Sequence, residues 1–336
     1  MSNTNYVEIM AKNTVISVSN LYKRFNLEAG FFAPLGRYVY AVNGVSLKID
    51  KNETYGLVGE SGCGKTTIAR LLVRMYEADE GEISFRTQQG NIEDVRKLNG
   101  QGLRRYREKV KYVFQDPARS LNPRMTVFEV LSSGAKWSSA KRDPSTLRGE
   151  AAAILEEVGL SAADMERRPA EFSGGQRQRI SIARSLMMRP KLLICDEVVS
   201  ALDVSIQGQI LNLLQDLRSR RESSLSGISF LFITHDLRLA CYFCDRIGVM
   251  YQGEIMEEAP ARDLWQNHLH PYTELLFSCV QRGDSLHARQ SSQATSLEVS
   301  GGCSFAARCQ YAEKRCLKEK PGIRETNTGH LLRCFR

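Results

Sequence analysis

No stretch of this sequence approaches the roughly 18–20 consecutive apolar residues that cross a bilayer as a helix. The most apolar runs, 228–233 and 192–195, are far shorter, so no helical span is expected. Residues 1–13 are polar with scattered charges and lack the apolar core of a secretion signal, which makes the cytosol the expected compartment and disulfides unexpected. Gly and Pro number only 25 and 9 in 336 residues, so neither a fibrous repeat nor wholesale disorder is expected. The cysteines in the last stretch of the chain include no CxxC pair, the turn that most four-cysteine zinc sites use.

The chain is 42% hydrophobic and 25% charged, long enough for about two domains. Its 46 basic and 38 acidic residues leave a net charge of +8. Such an excess suits nucleic acid, an anionic membrane surface or anionic small ligands, and cannot choose among them. Of nine cysteines, Cys63, Cys195, Cys241, Cys244 and Cys279 are scattered, whereas Cys303, Cys309, Cys316 and Cys334 crowd the last stretch. In a reducing compartment that cluster reads as metal before disulfide.

Residues 15–25 and 41–49 alternate as two strands of an antiparallel layer, and 53–58 is a short apolar strand ending in glycine. Helical spacing of Ile68, Leu71, Leu72 and Met75 predicts a helix over 65–76. A basic segment follows over 86–111, then a strand at 110–114 and a loop with two prolines. Helices are expected over 126–137 and 145–158 and from about Gly175. Leu192–Asp196 reads as a buried parallel strand. A helix over 205–221, a strand over 229–234 and a helix over 237–244 complete an alternating α/β core with a parallel sheet. The body is expected to end near Trp265. Residues 284–300, rich in Ser, Gln and Ala, read as a linker to a small cysteine-bearing cap.

Gly59-Glu60-Ser61-Gly62-Cys63-Gly64-Lys65-Thr66 matches the phosphate-binding pattern GxxxxGK[ST], between a strand and a helix. Backbone N–H groups there can wrap phosphates, Lys65 can reach the β and γ phosphates and Thr66 can hold Mg²⁺. The strand at 192–196 ends in Asp196, placed for the Mg²⁺ shell, and Glu197, placed to orient or deprotonate a water. Between these, Phe172-Ser173-Gly174-Gly175-Gln176 opens a helix and offers a second anion site.

Together the three motifs resemble the nucleotide-binding subunit of an ATP-binding cassette (ABC) transporter. The resemblance covers 13–265, and further marks fall in order. Gln115 is similar to the family's Q-loop glutamine, Ser200-Ala201-Leu202-Asp203 to its D-loop, and His235 to the switch histidine that senses the γ-phosphate. The resemblance implies an α/β P-loop ATPase core, a parallel sheet plus an antiparallel β layer, with a helical subdomain inserted at about 119–181. It also implies a head-to-tail dimer in which Ser173, Gly174, Gly175 and Gln176 of one subunit, with Asp203 nearby, complete the ATP site of the other. The implied nucleotide set is 59–66 with Thr67, Gln115 and Asp196. Mg²⁺ is implied at Thr66, Gln115 and Asp196, and hydrolysis at Glu197, Gln115 and His235. Adenine stacking falls to Phe25, with Tyr38 and Tyr40 as rivals because an insertion over 26–37 separates the two strands.

The phrases Gln115-Asp116-Pro117, Ser120-Leu121-Asn122-Pro123, Val199-Ser200-Ala201-Leu202-Asp203 and His270-Pro271-Tyr272-Thr273 resemble the ABC subfamily that serves dipeptide, oligopeptide and nickel importers. That likeness implies a heterodimer with a second, unlike ATPase, two membrane permease subunits, an external substrate-binding protein, and a place on the cytoplasmic face of the inner membrane. It points away from nucleic acid, because ABC proteins that act there usually carry two cassettes or a long coiled coil. The extension over 266–336 resembles a C-terminal region that in some members holds a [4Fe-4S] cluster on four cysteines, here Cys303, Cys309, Cys316 and Cys334. Thiolates also suit zinc, and free thiols are the third reading. Val198 and Ser304 stand where the family usually has Pro, and Phe172 where it has Leu.

Overall fold

The computed structural model describes residues 13–26, 38–135, 143–219, 227–282, 301–327 and 329–336. The expected linker, the insertion between the first strands, and the ends of the helices expected over 126–137 and 205–221 lie wholly or partly outside them. The strands are β1 (Thr14–Asn26), β2 (Tyr38–Asp50), β3 (Thr54–Val58), β4 (Glu80–Arg86), β5 (Ile92–Asp94) and β6 (Val110–Val113). There follow β7 (Leu192–Asp196), β8 (Ser229–Thr234), β9 (Arg246–Tyr251), β10 (Glu254–Pro260), β11 (Arg324–Asn327) and β12 (His330–Leu332). One sheet runs β2-β1-β4-β5, antiparallel throughout. The other runs β11-β12-β10-β9-β3-β8-β7-β6, with β9 to β6 parallel and the last three strands antiparallel on one edge.

The central strands are continuously apolar because both faces are covered. Phe230 and Phe232 of β8 face a core with Leu131, Ile180 and Leu214, while Leu231 and Ile233 face a second core with Ile16, Ile68 and Leu72. This two-residue alternation buries every side chain of β3, β7 and β8. Each large apolar side chain so covered contributes about 1.5–3 kcal/mol. The first core holds helices Val127–Ser132, Pro144–Glu157 and Gly174–Leu186; the second lies between the two sheets around helix Lys65–Leu72.

Three expectations meet a different structure. The helix expected over 65–76 ends at Leu72, because Arg74 turns to φ 57 and sends its guanidinium to the carbonyl of Val95, 2.9 Å away. The basic stretch over 86–111 contains β5 and a helix, Gly100–Lys109. Its role is capping: buried Tyr106 donates to the carbonyl of Leu72, and Arg107 donates to those of Val73 (3.2 Å) and Arg74 (2.6 Å). These are carbonyls that the end of a helix leaves unpaired. Thirdly, the sheet does not close at 265. Residues of the C-terminal extension return as β12 on β10, with Glu257 opposite Leu332.

Glu257 fastens that return. Its carboxylate accepts from the N–H of Leu269 (2.7 Å), the N–H of His270 (3.1 Å) and His330 Nε2 (2.8 Å), with Glu257 and His330 both buried. Burial pushes the Glu257 carboxyl up, but bonds from His330, Thr273 and the two N–H groups outweigh it and hold the group below 4.5. A depressed carboxyl contributes stability that is complete above about pH 4.5 and is lost as pH falls through the folded value. Replacing Glu257 by Ala should cost about 3 kcal/mol, because His330 and two N–H groups lose their partner. Urea unfolding at pH 7 and pH 4 checks this, and the gap between wild type and variant should narrow at the lower pH.

Candidate active site

The phosphate loop leaves β3 at Gly59 and enters helix Lys65–Leu72 at Gly64. Gly64 sits at φ 111, and a Cβ on it would stand 2.0 Å from the carbonyl oxygen of Ala41 in β2. A Cβ on Gly59 would stand 2.1 Å from the carbonyl oxygen of Met250 in β9. Only glycine fits either position. Buried Lys65 curls over the loop, donating to the carbonyls of Gly59 (2.7 Å) and Glu60 (2.9 Å). Cys63 is buried, and burial pushes its thiol up. Ser61 and Gly62 are exposed, and Thr66 and Thr67 are partly buried.

Asp196, at the end of β7, lies across from the loop with Thr66 and Tyr112 as hydrogen-bond partners. Burial raises its pKa against the pull of those partners, and its Oδ1 is buried with no hydrogen bond. A buried oxygen without a donor beside a threonine hydroxyl suits a hard cation, so the residues fit Mg²⁺. Glu197 adopts φ 50, a left-handed conformation uncommon for Glu and frequent at functional sites. Its carboxylate lies between Gln115 Nε2, donating at 2.9 Å, and His235 Nδ1, 3.4 Å away. The hydrogen bond with His235 lowers the Glu197 pKa, and the same bond raises that of His235. Gln115, Glu197 and His235, read separately from the sequence, therefore meet.

The Ser173 turn is a capping box. Ser173 Oγ accepts from the N–H of Gln176 (3.3 Å), and Gln176 Oε1 accepts from the N–H of Ser173 (3.0 Å). It packs on the segment around Asp203: a Cβ on Gly175 would lie 2.6 Å from Ile206, and one on Gly174 3.9 Å from Leu202. Ser173, Gln176 and Asp203 are exposed, and no hydrogen bond links the turn to 59–67 among the described residues. Phe25 is 38% exposed, in edge contact with Tyr76, and Tyr38 and Tyr40 are more exposed still.

Two partners of the loop lie where sequence reading put no site residue. Arg308 grips the Glu60 carboxylate with two bonds, Nη1 to Oε2 and Nη2 to Oε1, each 2.9 Å. Buried Tyr272 accepts from the N–H of Glu60 at 3.0 Å. A lone arginine beside Cys309 and a tyrosine after His-Pro carry no such signal by themselves. Cys303, Cys309, Cys316 and Cys334 line one cavity of about 310 Å³, with His270, Phe305, Pro321 and Phe335 among its walls. Burial pushes the Cys303 and Cys309 thiols up. Among the described residues, no three His, Cys, Asp or Glu side chains converge closely enough for one metal ion. A single tetrahedral zinc needs sulfurs about 3.8 Å apart. As donors, thiolates suit zinc and iron–sulfur groups alike. Ser304 takes its own partner, donating to Glu254 Oε2 at 2.9 Å.

A glycine loop at a helix start, facing an Asp-Glu pair at the end of one strand and a histidine just past the end of its neighbour, is the site of a P-loop nucleoside triphosphatase. A family model described as "ABC transporter" matches residues 42–200, and one described as "Oligopeptide/dipeptide transporter, C-terminal region" matches 256–316. The oligopeptide transport ATP-binding protein AppF of Bacillus subtilis is 38% identical over 96% of this chain and 97% of its own. The oligopeptide transport ATP-binding protein OppF of Haemophilus influenzae is 37% identical over 100% of this chain and 99% of its own. A dimeric ATP-binding cassette solved in a post-hydrolysis state with ADP and Pi is similar in fold, at TM-score 0.61 and 26% identity, covering 74% of this chain and 99% of that one. The chain belongs to the ATP-binding subunits of ABC transporters, of the oligopeptide/dipeptide importer type, and is an ATPase. No helix among its described residues is long and apolar enough to cross a membrane.

The Glu197 contact has a pH signature. His235 keeps its proton above its ordinary 6.5, so the ion pair is complete below that pH and fades as pH rises through the shifted value. In Glu197→Gln the His235 midpoint should fall toward 6.5. Histidine NMR across pH 5–9 reads it, and an unmoved midpoint would show that the contact does not set the charge.

Proposed function

We propose that this chain is one of two unlike ATPase subunits that close on ATP beneath two membrane permease subunits. The energy drives import of peptides delivered by an extracytoplasmic binding protein, and the chain works from the cytoplasmic face of the inner membrane. The observation that carries the reading is the Glu197 carboxylate between the Gln115 amide and the His235 imidazole. In this scheme Glu197 orients and deprotonates the attacking water, His235 senses the γ-phosphate through it, and Gln115 reports to the helical subdomain at about 119–181. Glu197, its pKa lowered, is ionised at neutral pH as a base must be.

Lys65 exchanges its bonds to the Gly59 and Glu60 carbonyls for the phosphates, while the N–H groups of 59–67 cradle them. Thr66, Gln115 and Asp196 are the residues for Mg²⁺, which when bound neutralises charge on the β and γ phosphates. Phe25, with Tyr38 and Tyr40 as rivals, stacks on adenine. Exposure of Ser173 and Asp203, and the separation of that turn from the loop of its own chain, suit a turn that completes the neighbouring subunit's site. The oligopeptide transport proteins among its relatives support peptide as cargo. The cysteine-lined cavity supports a [4Fe-4S] group on Cys303, Cys309, Cys316 and Cys334, with zinc as the alternative.

Glu197→Gln is expected to bind ATP, trap the closed ATPase pair, slow hydrolysis by about a hundredfold or more and stop uptake. Normal turnover in that variant would overturn the scheme. Anaerobic affinity purification from detergent-solubilised membranes should bring down two membrane subunits and a second, unlike ATPase. Iron and sulfide in the eluate would support the cluster, and zinc without them would replace it.

A further inference from the structure

The hydrolysis scheme leaves idle one carboxylate of the phosphate loop. Glu60 is buried, and each of its polar groups is engaged: the N–H by Tyr272, the carbonyl by Lys65 and the carboxylate by both ends of the Arg308 guanidinium. A bare carboxylate here would stand in the loop that wraps ATP, adding like charge next to a polyanion where water screens little. Arg308 removes that charge. The guanidinium lies over the rings of Tyr251 and Phe305, at 5.6 and 5.7 Å, which fixes its plane toward the loop.

Its backbone is set by the cysteines. Arg308 ends a one-turn helix, Ala306–Arg308, spanned by bonds from Ala306 N to Cys303 O (3.0 Å) and from Cys309 N to Ala306 O (3.3 Å). Cys303 N in turn donates to Cys316 O at 2.8 Å. The guanidinium that neutralises Glu60 thus projects from the turn joining two of the four cavity cysteines.

We propose that Arg308 is a positioning residue of the nucleotide site, and that the cysteine-lined cap acts through it. The Arg308–Glu60 pair cancels the loop's own charge so that phosphates can enter, and the packing of the cysteine turn decides whether the pair forms. The inference rests on the ATP-site reading, and its second half on the cysteines holding a group. Arg308 touches neither ATP nor water in this scheme, so its effect falls on nucleotide affinity.

The test is a charge cycle read by equilibrium binding of a fluorescent ATP analogue, with thermal unfolding, iron and sulfide measured on every sample. Arg308→Gln is expected to bind about tenfold more weakly and to unfold at a lower midpoint, because Glu60 stays buried without its partner, while remaining folded at the temperature of the binding assay. Arg308→Lys, which keeps the charge, should recover part of the loss. The double variant Glu60→Gln/Arg308→Gln, with no charge left to neutralise, should return to within about threefold of wild type. Wild-type affinity in Arg308→Gln, or a double variant no better than Arg308→Gln, would overturn the positioning role. Cys303→Ser/Cys309→Ser should weaken binding in the wild-type background and have little effect on top of the double variant. Equal weakening in both backgrounds would overturn transmission through the pair. Absence of iron and sulfide from wild type would show in the metal assay and not in the affinity cycle, so failure of the cluster reading is told apart from failure of this one.

Discussion

Two main-chain carbonyls govern this molecule. The oxygens of Ala41 and Met250 occupy the positions where Cβ atoms of residues 64 and 59 would otherwise lie. One belongs to the antiparallel layer and the other to the parallel sheet, so the phosphate loop is the place where the two sheets meet. Gly253, in the turn between β9 and β10, reinforces the junction: its N–H donates to the Cys63 carbonyl (2.9 Å) and its own carbonyl accepts from Asn43 N (2.8 Å). The loop's conformation is therefore fixed by packing before any ligand arrives, which is the condition for electrostatic binding without reorganisation.

Adjacent carboxylates at the end of β7 are driven in opposite directions by their surroundings. Asp196 is buried and its pKa rises; Glu197, one residue on, hydrogen-bonds to His235 and its pKa falls. A backbone turn at φ 50 separates them, so one faces the helix of the phosphate loop and the other an open rim with Gln115 and His235. Divergent environments for paired acids allow divergent work, one residue for a cation and one for a base.

The core strands and the loop were legible in the sequence, because buried parallel strands read as short apolar runs and a glycine loop between strand and helix has a narrow pattern. The four C-terminal cysteines were legible as a cluster as well. What stayed hidden depends on long-range return of the chain. Arg308 reaches Glu60 across 248 positions, and Glu257 meets His330 across 73. Neither pair has a local period to betray it. The stretch over 86–111 read only as a basic segment, but its helix delivers Tyr106 and Arg107 to the carbonyls that end helix Lys65–Leu72. Helix ends were misjudged where one residue, Arg74, turns left-handed for the sake of a distant carbonyl.

The returning tail also changes what the sheet shows the outside. Without β11 and β12, the outermost strand on that side would be β10, whose main-chain donors and acceptors would offer a template to any other extended chain. With them the border is a four-residue strand, Arg324–Asn327, every side chain exposed and two of the four charged. Short, charged borders resist self-association. The C-terminal extension is thus also a hem on the fabric, and a chain cut before Arg324 would be expected to clump by edge-to-edge growth.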